Sequence, residues 1–77
     1  MVSRMSLIVR FNEATRYDIT QDREVICFMA MTNGGTYHAE VPLSSTRGLR
    51  EKRNVFKERV IEKMQAGEPP CEVNLDG

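Results

Sequence analysis

Hydrophobic and polar positions alternate with period two along three stretches of this chain and with a helical period along one. The most informative stretch is residues 23–42, two apolar runs joined by Asn33-Gly34-Gly35. The first run is apolar on both faces, with Val25, Cys27, Met29 and Met31 on one side and Ile26, Phe28 and Ala30 on the other, as suits a strand in the middle of a sheet. Asn33-Gly34 is a strong hairpin signal because both residues tolerate the positive φ of a type I′ turn, and Gly35 leaves room for a bulge. The return run places Tyr37, Ala39 and Val41 on one face and Thr36, His38 and Glu40 on the other, until Pro42 ends the ladder.

Upstream, Met5, Leu7, Val9 and Phe11 alternate with Ser6, Ile8 and Arg10, which predicts a first strand near residues 5–11. Residues 12–22 are polar and rich in turn formers and read as a connection, in which Tyr17 either closes one end of the core or faces a partner. Downstream, Ser44, Ser45 and Thr46 offer capping hydroxyls, and strong helix formers run from Leu49 to Met64. Phe56, Val60 and Met64 fall on one side of that helix, and Gly67 followed by Pro69-Pro70 stops it. Residues 71–75 alternate again, as a short edge strand or a loose tail.

The expected architecture is an α+β single domain over residues 1–77. An antiparallel three- or four-stranded β-meander, with strands near 5–11, 23–31 and 36–41, is packed on one face by a single long C-terminal helix near 45–66. The tail, 67–77, is a further edge strand in one version. The expected core is Leu7, Val9, Val25, Cys27, Tyr37, Ala39, Val41, Leu49, Phe56, Val60 and Met64, and a one-residue slip in register would exchange the strand faces.

Composition narrows the functional field. The chain has 77 residues, room for one core only, and its net charge of zero supplies no global attraction to nucleic acid or anionic membrane. No apolar run is long enough to span a bilayer, and the N-terminus lacks the pattern of a signal peptide, so the expected compartment is the cytoplasm. Cys27 and Cys71 are expected to be free thiols, and with His38 the single histidine, no metal-ligand spacing appears. No cofactor or small-molecule substrate is implied. His38 and Cys27 are the one pair to weigh for catalysis, and the expectation is that the chain is not an enzyme.

The helix carries seven Lys or Arg between residues 47 and 63 against three Glu. Glu51, Glu58 and Glu62 lie along its crest, and the bases lie on its flanks, where their stems can cover apolar surface and their heads can reach acids on the sheet.

The alternating strand ending at Phe11, the Tyr17-Asp18 pair where a Trp-Asp pair is usual, and the Arg23, Val25, Cys27-Phe28-Met29-Ala30 stretch followed by a glycine turn resemble the DUF1488 family of small bacterial proteins. The resemblance covers roughly residues 7–43. It implies a fold and no activity, since the family has no established function.

Two functions remain in view. The first is a small interaction module, a regulatory or accessory protein of the kind phages and mobile elements encode. It would dock onto a protein partner or form a homodimer through Ile8, Ile26 and Phe28 on the sheet face away from the helix, with Tyr17 of the connection as a further candidate contact. The alternative is an RNA- or DNA-backbone-binding domain that uses Arg47, Arg50, Lys52 and Arg53 on the basic flanks of the helix.

Overall fold

The computed structural model describes residues 8–43 and 48–75 of the chain. Three strands, β1 (Val9–Asp18), β2 (Arg23–Thr32) and β3 (Gly35–Pro42), form an antiparallel meander in the order β1-β2-β3. A helix, α1 (Leu49–Gln65), packs across one face. This is the expected α+β architecture with three full strands.

The β2–β3 turn sits where the sequence places it, but its geometry differs from the expected type I′. Neither Asn33 nor Gly34 takes a positive φ, and Gly35 does, at 136°. The Thr32 hydroxyl braces the loop, donating to the Gly35 carbonyl at 2.8 Å and accepting from the Gly34 amide at 3.1 Å. The unusual backbone is thereby moved one residue on, to the second glycine, where no Cβ opposes it.

That two-residue loop pairs Thr32 with Gly35, and the ladder then sets Ala30 opposite Tyr37, Phe28 opposite Ala39 and Ile26 opposite Val41. Opposed residues share a face, so Ile26, Phe28 and Ala30 point toward the helix, and Val25, Cys27, Met29 and Met31 point away from it. The expected core had the faces of β2 exchanged. The observed core is Ile26, Phe28, Ala30, Tyr37, Ala39 and Val41 from the sheet, Phe56 and Val60 from the helix, and Val73 from the tail, with Val9, Leu49 and Met64 packed at its margin. Leu7 lies outside the described residues.

At its centre Phe28 stacks on Phe56 with ring centroids 5.6 Å apart, and Phe11 meets Phe56 edge-on at 6.3 Å. Val25 is buried as well, on the opposite face, in register between Arg16 and Pro42.

The first strand is the second difference. Residues 12–18, expected as loop, continue β1 for a total of ten residues, and a short turn at residues 19–22 returns the chain to β2. The Asp18 carboxylate organises that turn: its Oδ1 accepts from the Thr20 amide at 3.0 Å, the Thr20 hydroxyl at 2.6 Å and the Gln21 amide at 3.4 Å. Asp22 closes it with a left-handed φ of 52°.

The helix begins after Gly48, which adopts a left-handed conformation (φ 76°) and offers no side-chain cap. The proposed capping residues Ser44, Ser45 and Thr46 lie outside the described residues. Its C-terminus follows the sequence signal. Gly67 at φ 76° donates to the Met64 carbonyl and Glu68 to that of Lys63, at 3.1 and 2.9 Å, the two bonds of a Schellman motif.

Beyond it the tail runs back along the outer edge of β3. Tyr37 donates its hydroxyl to the Glu68 carbonyl at 2.6 Å, and Pro70 crosses so close to Gly35 that a Cβ there would sit 2.9 Å from the Pro70 Cγ. A single parallel bridge then joins His38 to Glu72, built from His38 N–H to the Cys71 carbonyl (3.2 Å) and Val73 N–H to the His38 carbonyl (2.7 Å). The tail is therefore one bridge rather than a full fourth strand, anchored by buried Val73.

Candidate interaction surface

With the tail along β3, the two edges of the sheet are unlike. The outer edge of β1 has no strand beside it among the described residues, over all ten residues from Val9 to Asp18. The helix-side positions of β1 past Phe11 are Glu13, Thr15 and Tyr17, and all three are exposed. Tyr17 keeps 52% of its surface open to solvent, and Ile8, just before the strand, 64%.

Charges on β1 are mostly satisfied within the chain. Arg53 of the helix grips Glu13 through two bonds, Nε to Oε1 at 2.7 Å and Nη2 to Oε2 at 3.0 Å, and this holds the Glu13 carboxyl below its ordinary pKa. On the other face Arg16 reaches across β2 to Glu40 of β3, bonding it through Nε at 3.1 Å and also through Nη2. That contact lowers the Glu40 pKa and raises that of Arg16. The Asp18 carboxyl is also lowered, chiefly by the Thr20 hydroxyl. All of its hydrogen bonds within the turn go to Oδ1, and Arg10 has no ion pair among the described residues.

The open sheet face carries half-buried Cys27, Met29 and Met31, bordered by exposed Arg10, Asn12, Ala14, Thr36 and His38. Of the four candidate interface residues, Ile26 and Phe28 are contradicted. They are 5% and 1% exposed, inside the core, because the two-residue turn sets β2 one position away from the expected facing. Ile8 is exposed as expected; Tyr17 is exposed too, on the helix side and on a strand rather than a loop, so it does not close an end of the core.

Cys27 and His38 do share the open face, with Glu40 directly opposite Cys27. The thiol of Cys27 accepts from Arg16 Nε at 3.3 Å and lies 3.5 Å from Glu40 Oε2. Both cysteines are free thiols. No set of three potential metal ligands gathers among the described residues, and none of their helices is long and apolar enough to cross a membrane.

No family model, curated protein or solved structure matches the chain.

The bases of the helix are spread among several partners. Lys63 meets Glu68 at 3.2 Å, Arg59 donates to the Asn74 carbonyl at 2.6 Å, and the Lys57 ammonium stands 5.4 Å above the Phe11 ring. Of the residues considered for nucleic acid, Arg53 is held by Glu13, and Arg50 is exposed. Lys52 lines a shallow groove with Glu40, Glu72 and Leu75, and Arg47 lies outside the described residues.

Proposed function

We propose that this chain is a small non-enzymatic interaction module that works by accepting another polypeptide along the β1 side of its sheet. The observation that carries the reading is the outer edge of β1, beside which no strand lies among the described residues and whose backbone donors and acceptors form a template for strand addition. The other edge of the sheet is occupied by the chain's own tail. The Glu13–Arg53 and Arg16–Glu40 pairs support the reading too, since they engage two of the four charges of β1 within the chain.

A photo-activatable cross-linker at Ala14, on β1, compared with one at Gln65, on the exposed end of the helix, tests it in cells. The Ala14 probe should give protein adducts and the Gln65 probe few or none. Absence of protein adducts at Ala14 refutes the reading. Salt-sensitive binding to duplex RNA or DNA that is abolished by Arg50→Glu would transfer the assignment to a nucleic-acid-binding domain.

A further inference from the structure

Resting on the interaction-module reading, we infer that the polypeptide taken up by the β1 edge is a second copy of this chain, in one specific register centred on Ala14. Two neighbouring antiparallel strands of identical chains are related by a two-fold axis normal to the sheet. Such an axis preserves which way each side chain points, so it must lie midway between one residue and that residue's own copy, and not at the level between two successive residues.

Five centres give substantial overlap of β1 with itself, and the charges separate them. A centre at Glu13 sets Glu13 against itself and Arg10 against Arg16; a centre at Arg16 sets Arg16 against itself. Centres at Asn12 or Thr15 oppose no unlike charges. The centre at Ala14 pairs a small neutral residue with itself, sets Glu13 opposite Thr15, Phe11 opposite Tyr17, and Arg10 opposite Asp18, twice over by symmetry.

This register draws on the groups that the monomer leaves unused. Arg10 lacks an ion pair among the described residues, and Asp18 retains Oδ2 outside its turn hydrogen bonds. Tyr17, half open to solvent, comes to lie beside Phe11 of the second copy, at the margin of the aromatic cluster around Phe56. Glu13 and Arg16, the other charges of β1, already have partners in their own chain. The result is a continuous antiparallel sheet with both helices on one side and no open β1 edge. Unlike charges directly opposed on neighbouring strands stabilise a sheet, and like charges destabilise it by similar amounts.

Sedimentation equilibrium on the whole chain should show a dimer. Arg10→Asp alone and Asp18→Arg alone should each weaken it by about tenfold or more, and the double exchange should restore it. Because Asp18 also organises a turn, a second arm avoids it. In a Cys27→Ser, Cys71→Ser background, Ala14→Cys should be joined to its copy by a short bis-maleimide, since opposed Cβ atoms stand roughly 4.5–5.5 Å apart. Asn12→Cys, on the same face but displaced from its copy by about 13 Å, should not be joined.

Preferential joining at Asn12, or a dimer indifferent to the charge exchanges, overturns the register. A strict monomer at millimolar concentration overturns self-pairing. If the Ala14 photo-probe still captures a different protein, the interaction module survives without the second copy, so the two failures are distinguishable.

Discussion

Phe28 and Met29 are neighbours on β2 and point to opposite faces, so truncating each in turn measures which face the helix covers. Phe28 is 1% exposed and stacked on Phe56, and Phe→Ala at such a site costs about 3–5 kcal/mol, of which the aromatic pairing supplies roughly 0.5–1.5 kcal/mol beyond area burial. A domain of this length has about 4–12 kcal/mol of stability in all, at roughly 0.05–0.15 kcal/mol per residue. Phe28→Ala therefore consumes a large part of it. Met29 is half-buried on the face without a helix, and Met29→Ala should cost on the order of 1 kcal/mol, well below the 2–5 kcal/mol of a core methionine. Urea titration followed by circular dichroism, with the two variants compared at a common m value, is the assay. If Phe28→Ala is already unfolded in water while Met29→Ala folds, the order is established just as well. Equal costs, or a greater cost at Met29, would refute the assigned facing of β2 and with it the placement of the helix.

Gly35→Ala should destabilise the fold by about 1–3 kcal/mol, because the position combines a φ of 136° with the close approach of Pro70, and Pro70→Ala in the same chain should recover only the part due to the contact; thermal melts of the single and double variants read this out. Thermal stability should also fall with acid. Glu13 and Glu40 have folded pKa values below 4.5, so the unfolded chain binds more protons as pH drops; their contribution is complete above the ordinary carboxylate range and is lost as pH falls through it toward the lowered folded values. Melting temperatures between pH 7 and pH 3 should show a decline that Arg16→Gln and Arg53→Gln flatten.

The legible parts of this fold are those where local chemistry and burial agree. The β2–β3 hairpin, the helix stripe of Phe56 and Val60 and the glycine stop at Gly67 all follow from residues whose local preference matches their final environment. The facing of β2 was latent in the turn, since Thr32 opposite Gly35 leads by counting to Ala30 opposite Tyr37, whereas hydrophobicity alone could not choose between two apolar faces. The far half of β1 was hidden for the opposite reason. Asn12–Asp18 has solvent on most of both faces, so no alternation marks it; its signals were Thr15 and Tyr17 as strand formers and Asp18 as a turn organiser. A polar connection of that length in so small a domain itself counts against a loop. Ile26 and Phe28, expected on the surface, lie in the core through the same ambiguity that blurs β2; Ile8 is exposed as expected, and of the two readings of Tyr17 the exposed one holds.

The half of β1 beyond Phe11 presents a physical contrast with the rest of the sheet. It contributes no residue to the core cluster, and its ties to the remainder are the ladder to β2, the hydrogen bond from Arg16 to the Cys27 thiol and the two ion pairs, Glu13–Arg53 and Arg16–Glu40, both largely exposed. Exposed pairs of this kind each contribute roughly 0–1 kcal/mol, far less than the aromatic packing under the helix. Ordering a residue of backbone costs about 1–2 kcal/mol, so a strand segment without buried side chains gains little for the fold of its own chain. The same two ion pairs give Glu13 and Arg16 partners within their own chain. A segment that adds little to the core and is held to it by a ladder and exposed contacts is where the proposed pairing of a second strand would cost the monomer least.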